Sequence, residues 1–590
     1  VVPPKEFNPV NDEYRAMYQT LQELPYKVSE NKLFQSDTWR TMAYAEIDTS
    51  LVNTLQQTIL ALKTTASEKK GHFDAFIRQF NQRYEGQFVP LLQVLDDEAG
   101  ISFSSDTGYE SPLLAGLNIT VSHGADKSNQ VSKLDQLLLR EMPFKNNIST
   151  LQLKSEVLLK DHDKNIVFKQ LPASFAMNVS LYQDENNQLL VHLHGLSGPS
   201  GANMLGRFCH LDEQLLSSVR QYLKREESLS SGAIFAEVVH MPDGRPGNVI
   251  ARPSLRDYEI VFLADTTLDE SKQIAVSDLF VFIEGGQVKL WSKRLNKQVV
   301  PRLTSAHNYS SHALGIYRFL CMLQHQQAEL PHFVMPASFN QMEYVPRVQI
   351  DNVILHETHW RVKRDMLAAL VQHEEWQAEA WGQLCDRYQI KRYVCYAVAD
   401  NVLTLDLHNP FMVNLLLAET QHQRYVLLKE SLVMQYQSYV SNDEGSFAHE
   451  IIVPLVNNAA VAEQVLHQNP QVQLNSTIVR RFQPGSKWLS IKLYAANSTA
   501  EQMLLEDIKP LIEKMRLQQS FEQWFFIRYA DPDWHIRLRF YGNPEQLYSQ
   551  LLPQLQQCLS GWVSCNKLHR LELFTYEREV ERYGDEQGIV

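Results

Sequence analysis

The chain has 590 residues, 44% of them hydrophobic and 21% charged, with a formal net charge of −13. That size allows several domains with sizeable cores, and the composition is ordinary for a soluble globular protein. No apolar run approaches bilayer-spanning length, no signal-peptide core opens the chain, and the acidic balance excludes wholesale coating of nucleic acid while leaving room for a local basic patch.

In chain order, residues 11–95 read as largely helical, with apolar residues at helical spacing in "EYRAMYQTLQEL" and "LVNTLQQTILALKTTA". Between them "TMAYAEIDT" reads as a short strand ending at Asp48. A helix broken near Gly86 follows, and residues 132–162 are charged and helical. From about 172 the rhythm turns to strands: "SFAMNVSLY", "LLVHLHGL", "IFAEVVHM", "YEIVFLA" and "DLFVFIEGGQVKLWSKRL", with a hairpin turn at Gly285–Gly286. Helical patterns return at 312–326 and 363–387. A boundary falls near Pro484–Gly485, followed by a strand, a helix at 499–519, a strand in 524–540 and another helix. These elements predict an α+β chain of at least two domains, with mixed sheets and packed helices.

The six cysteines form neither a C-x-x-C pair nor a dense disulfide framework, so free thiols are expected. "LHETHW" brings His356 and His359 together without the H-E-x-x-H register, and His192 and His194 share a strand face without a third ligand. No metal site is expected, and no phosphate-binding loop, dinucleotide fingerprint or nucleophile elbow occurs.

The segment "WFFIRYADPDWHIRLRF" at 524–540 sets His535, Arg537 and Arg539 at alternate positions, with Ile536, Leu538 and Phe540 between them. On a strand this buries an apolar row and displays a cationic one. Glu579 and Arg582 in "YEREVERYG" lie three positions apart and can aim at one cleft; by composition alone the segment also suits a charge-laced surface helix. "KLWSKRLNKQVVPR" carries Lys289, Lys293, Arg294, Lys297 and Arg302 around Trp291, the interleaving that a surface for RNA often shows, although such a row is more commonly a solvated hairpin face. Arg245, Arg252 and Arg256 form a comparable basic segment.

Taken in order, "YAEIDTS", "YEGQFVPLLQVLDDEAGI", "GANMLGRFCHL", "VVHMPDGRPGNVIARPSLRDYEI", "VVPRLTSAHNYS", "WFFIRYADPDWHIRLRF" and "YEREVERYG" resemble the lantibiotic (class I lanthipeptide) dehydratases, over nearly the whole chain. The resemblance implies that residues 1–480 are the later part of a glutamylation domain and residues 481–590 the first part of an elimination domain. It implies transfer of glutamate from glutamyl-tRNA, as co-substrate, to Ser and Thr hydroxyls of a precursor peptide, then elimination of glutamate to dehydroalanine or dehydrobutyrine, with no further cofactor. Arg537, Arg539, Glu579 and Arg582 match the family's elimination site, the arginines gripping carboxylates of the glutamyl ester and Glu579 acting as base or organiser. Asp48 and Arg207 match positions used in glutamylation, where Gly198, Ser200, Gly201 and Ala202 would let backbone N–H groups approach a phosphate or the tRNA 3′ end.

Members of the family are longer at both ends, so these residues hold part of each site, and the 590 residues alone are expected not to dehydrate a peptide. The free thiols point to a reducing cytoplasm, and the resemblance implies a homodimer, with peripheral membrane association and a lanthionine cyclase partner as open extensions, and no DNA. Two other readings stand beside it. One is a ligase that adds an aminoacyl group from tRNA to a peptide without elimination; the other is a non-catalytic peptide- or tRNA-binding subunit.

Overall fold

A computed structural model describes residues 12–24, 46–66, 71–84, 87–97, 100–103, 133–141, 149–230, 232–242, 247–310, 313–326, 330–336, 339–398, 401–442, 445–459, 479–530 and 533–578. The chain forms two compact units, Val1–Arg78 with Val89–Asn469, and Gln79–Phe88 with Pro470–Val590. Helices and strands combine in several mixed sheets, so the fold class is α+β.

The first unit contains three large sheets. In one, Ile234–Val239, Tyr258–Val261, Gln273–Ala275 and Lys297–Arg302 run parallel, and the hairpin Leu279–Glu284/Gln287–Ser292 extends them. Gly285 and Gly286 close that hairpin with φ of 57° and 74°, the left-handed pair that a two-residue turn requires. In a second sheet Ser174–Gln183 and Leu189–Ser197 pair antiparallel, flanked by Val353–His356 and Ile451–Val456. The third is built on His359–Lys363, Tyr425–Glu430 and Tyr393–Val398.

Three local expectations change. Within 132–162 the alternating Thr150–Leu153 is a strand, paired in parallel with Arg347–Ile350, because Leu151 and Leu153 bury on the sheet's core face. The helix over 363–387 is interrupted by the hairpin Val371–Gln372/Glu375–Trp376, turned by left-handed His373 and Glu374. Residues 46–48 are not a strand; Asp48 is the N-cap of the helix Thr49–Thr65. Residues 41–45 of that expected strand lie outside the described residues.

The second unit arises from a simple alternation. Strands β1 (Trp488–Tyr494), β2 (Gln523–Ala530), β3 (Trp534–Tyr541) and β4 (Arg570–Leu573) form one antiparallel sheet in the order β2-β3-β1-β4. The stretch 524–540 is therefore a hairpin rather than one strand. One helical run, 497–517, links β1 to β2, and a second, 544–564, links β3 to β4, giving a β-α-β-β-α-β ferredoxin-like topology. Each run contains a five-residue π turn just before Pro510 or Pro553. The wider turn accommodates a ring that lacks an N–H and would clash with the carbonyl one α-turn back.

Leu489, Ile491 and Leu493 of β1 and Ile536, Leu538 and Phe540 of β3 pack with Met503, Ile508, Ile512, Leu551 and Leu555 from the helical runs. Burying each such side chain contributes about 1.5–3 kcal/mol before chain entropy is set against it. Period-two alternation then commits the intervening residues to the other face.

Candidate active site

That other face carries cross-strand rows. Phe525, Arg539 and Ser490 are register partners, as are Ile527, Arg537, Lys492 and Glu572, and then Tyr529, His535, Tyr494 and Arg570. The cationic row was expected to be displayed, but aromatic rings cover much of it. Arg539 is 6% exposed and His535 3%. The Arg537 guanidinium carbon lies 3.7 Å from the Tyr529 ring centroid, and that of Arg539 lies 4.1 Å from Tyr576 and 5.3 Å from Phe525. Such stacking holds a guanidinium in plane and is worth about 0.5–2 kcal/mol, more as water is excluded.

His535 fixes Arg537 further. Its Nδ1 meets the Asp533 carbonyl at 2.7 Å, and Arg537 Nε meets its Nε2 at 3.0 Å. A carbonyl only accepts and Nε–H only donates, so the ring is the neutral Nδ1–H tautomer.

A cavity of about 210 Å³ opens before this row, lined by Lys492, Tyr529, Arg537, Arg539, Phe574, Thr575, Glu577 and Arg578, with Gln82, Arg83 and Gln87 from the 79–88 segment. Among the described residues Arg537 has no ion pair. The arrangement can receive an anionic group in a partly dry pocket, where charge–charge contacts gain strength. Glu579 and Arg582 lie outside the described residues. Lys492, Tyr529, Phe574 and Arg83 escaped the sequence reading: Lys492 and Phe574 are single residues in ordinary strand patterns, and Arg83 is remote in sequence.

The first unit holds a cavity of about 390 Å³, lined by His72, His307, His325, His332, Ser197, Gly198, Asn203, Ser305 and Tyr309 among others. Among the described residues no Asp, Glu, Lys or Arg lines it. Ser197 Oγ, Asn203 Oδ1 and Ser305 Oγ are buried without a hydrogen-bond partner among the described residues. Burial pushes the His325 imidazole down to about 4 and lowers His307 as well. His307 and His325 therefore favour the neutral imidazole, which can both donate and accept a hydrogen bond.

Asp48 and Arg207 do not line this cavity. Asp48 accepts from the Ser50 amide at 2.7 Å, and the Ser50 hydroxyl and amide hold its carboxyl below the usual range. Arg207 is half-buried on a 3₁₀ turn, its guanidinium 4.8 Å from the Phe208 ring.

Two amides of the glycine stretch are already engaged within the fold. Gly201 N donates to Ser174 Oγ at 2.9 Å and Ala202 N to Ser200 Oγ at 3.3 Å, with all of 199–202 buried. A Cβ on Gly201 would overlap Tyr222 Oη and the Phe175 carbonyl, and one on Gly206 the Thr304 carbonyl. Small residues are required here by close packing. Beneath them Ser200 donates to Glu226 at 2.5 Å, and Glu226 pairs with Arg256 at 3.4 Å and Arg302 at 3.3 Å. Burial pushes the Glu226 carboxyl up, but Arg256, Arg302 and the Ser200 hydroxyl more than offset it and leave it lowered.

The five basic residues at 289–302 do not form one face. Lys289 is buried against Glu284 at 2.6 Å, Arg302 is in the Glu226 network, and Trp291 is 4% exposed. The sheet is covered on both faces here, so residues 288–292 and 298–302 are all buried. Arg294 donates to the carbonyls of Ser271 and Gln273, at 3.0 and 2.6 Å, and with Lys293 and Lys297 it remains exposed. Arg252 and Arg256 pair with Glu237, and Arg245 lies outside the described residues. Among the described residues no cluster of three His, Cys, Asp or Glu is placed to hold a metal, and no helix is long and apolar enough to cross a membrane.

The second unit is thus a ferredoxin-like sheet that sets aromatic-backed arginines before a cavity, in a chain that also carries a larger α+β unit. Residues 5–416 match the family model for the lantibiotic dehydratase N terminus, and residues 488–590 that for the lantibiotic biosynthesis dehydratase C-term. The chain belongs to the lantibiotic dehydratase family.

It is 23% identical over 548 residues to the subtilin biosynthesis protein SpaB of Bacillus subtilis, covering 91% of this chain and 52% of that protein. It is 21% identical over 538 residues to the nisin biosynthesis protein NisB of Lactococcus lactis subsp. lactis, covering 88% and 51%. The crystal structure of the tRNA dependent lantibiotic dehydratase MibB from Microbispora sp. 107891 superposes with a TM-score of 0.68 at 23% identity, over 91% of this chain and 51% of that one, a likeness of fold. The chain spans about half the length of the curated relatives it matches.

Proposed function

We propose that this chain supplies parts of both steps of a glutamyl-tRNA-dependent dehydration of Ser and Thr in a ribosomally made precursor peptide. The first step moves glutamate from tRNA onto the side-chain hydroxyl. The second removes the Cα proton, breaks the Cβ–O bond and releases glutamate, leaving dehydroalanine or dehydrobutyrine. Hydroxide is a poor leaving group from Ser, whereas a carboxylate leaves readily once paired with a cation.

The observation that carries this reading is the cavity before Arg537 and Arg539, whose guanidinium planes rest on Tyr529, Tyr576 and Phe525. Rigid planar forks suit a carboxylate that gains charge as the ester bond breaks. Glu579 is the candidate base or organiser and Arg582 a further carboxylate anchor. For glutamylation, Asp48 and Arg207 are the proposed residues. The cavity beside Gly198, with no Asp, Glu, Lys or Arg among its described lining and three orphaned polar atoms, supports a subsite for an uncharged hydrogen-bonding group such as ribose hydroxyls. The partners under this reading are the precursor peptide and glutamyl-tRNA, with a lanthionine cyclase and a second copy of the chain as further ones. The proposed setting is the cytoplasm, with peripheral attachment to a membrane complex.

The test is mass spectrometry of a precursor peptide incubated with the full-length protein, glutamate, tRNA and its synthetase. Loss of water from Ser and Thr is expected. Added amino-acid masses that persist would replace the reading with a ligase, and an unmodified but bound peptide would replace it with a binding subunit.

A further inference from the structure

Three cations surround one ring in the second unit. Lys492 Nζ lies 5.0 Å from the Phe574 centroid, and the guanidinium carbons of Arg537 and Arg539 lie 5.8 and 5.9 Å from it. All three line the same cavity. Lys492 sits directly across from Arg537 on β1, and its partner on the other side is Glu572. That carboxylate is already engaged: Tyr494 Oη donates to its Oε2 at 3.2 Å, and Arg570 Nε meets its Oε1 at 3.2 Å. Among the described residues Lys492 therefore has no ion pair, and its ammonium turns toward Phe574 and the cavity.

A glutamyl ester has one permanent carboxylate on its side chain and a second that appears only as the ester bond breaks. Two anionic positions need two cationic subsites. The paired arginines on β3 offer planar forks for the developing charge, while a lysine is a point charge on a flexible stem, suited to a carboxylate that stays charged throughout.

We propose that Lys492 holds the side-chain carboxylate of the esterified glutamyl group and thereby selects a dicarboxylic aminoacyl ester for elimination. This rests on the elimination reading above. Lys492 takes part in no bond change: the proton leaves Cα, the Cβ–O bond breaks, and its electron pair departs with the carboxylate.

The experiment uses the full-length protein and a precursor peptide carrying on one Ser either a glutamyl ester or its neutral isostere, a glutaminyl ester. Formation of dehydroalanine is followed for each. Wild type should eliminate the glutamyl ester about tenfold faster or more, the scale of one charge-assisted hydrogen bond. K492M should abolish the preference, so that the two esters are eliminated at similar rates, and K492R should keep most of it. R539A should slow both esters alike. If R539A slows both and K492M keeps the wild-type preference, or lowers both rates equally, the Lys492 assignment is overturned while the site reading stands. If R539A changes neither rate, or wild type eliminates neither ester, both are overturned.

Discussion

Arg537 donates its Nε–H to His535 Nε2 at 3.0 Å, from two positions along the same strand, while the ring's single N–H, on Nδ1, donates to the Asp533 backbone carbonyl at 2.7 Å. The imidazole is thus a fixed acceptor that aims one arginine at the cavity. His535→Phe should slow elimination from a pre-glutamylated peptide by about tenfold, the scale of one lost hydrogen bond to a charged group, and spare glutamyl transfer. His535→Gln, which keeps an acceptor, should recover part of the loss. Equal rates for all three proteins would remove His535 from the site.

Arg539 is the more enclosed guanidinium, stacked 4.1 Å from Tyr576. Arg539→Ala should let glutamylated peptide accumulate, with elimination down about a hundredfold or more, the usual cost of losing a group that meets developing charge. Tyr576→Leu should cost only several-fold, the scale of a cation–π contact. Mass spectra of the peptide after each reaction distinguish the two sizes of effect.

Glu226 accepts from Ser200 and balances Arg256 and Arg302 where all are buried. Glu226→Ala leaves two buried cations short of a partner and should cost about 3–5 kcal/mol of stability. Gly201→Ala should cost about 1–3 kcal/mol or more through overlap with Tyr222 and Phe175. Denaturant unfolding reads both; loss of tRNA-dependent activity without loss of stability would restore the glycine stretch as a ligand cradle.

His325, His356 and His359 are each held near 4, by burial first. Their unfolded values sit near 6.5, so between pH 6.5 and about 4 the unfolded chain binds protons that the folded chain refuses. Stability should therefore fall as pH falls through that window, by up to about 1.4 kcal/mol per pH unit for each histidine. Unfolding midpoints at pH 7, 6 and 5 measure the slope, and His325→Gln should shallow it. A flat profile would mean that these rings charge in place.

Lys293 and Lys297 are exposed on the 289–302 hairpin region, unlike Lys289 and Arg302. If that turn meets tRNA, the double alanine variant should reduce the slope of log affinity against log salt by about 1.5–2, and it should leave stability unchanged. An unaltered slope would take the turn out of the interface.

Much of the second unit was legible because Ile536, Leu538 and Phe540 alternate with His535, Arg537 and Arg539, and a two-residue period fixes which face each takes. What alternation cannot reveal is what stands over the exposed face. Tyr529 and Phe574 come from other strands or loops, so the outward row proved partly buried. The same limit misplaced Lys289 and Arg302: charge in sequence suggested a surface, while Glu284 and Glu226, distant or unremarked, received them inside. Asp48 reads equally as a strand end or a helix start until the Ser50 amide is seen to bond it. The 371–376 hairpin was hidden because left-handed His373 and Glu374 carry no glycine to announce a turn.

Residues 79–88 belong with the C-terminal unit, although some 380 residues intervene before the chain returns at 470. Arg83, Gln82 and Gln87 form one wall of the cavity that Arg537 and Arg539 face. The C-terminal unit is therefore not a contiguous tail cassette that relatives could exchange whole. A chimera joined near 480 would pair the recipient's wall with the donor's floor, so lineages that exchange one portion must keep the other compatible.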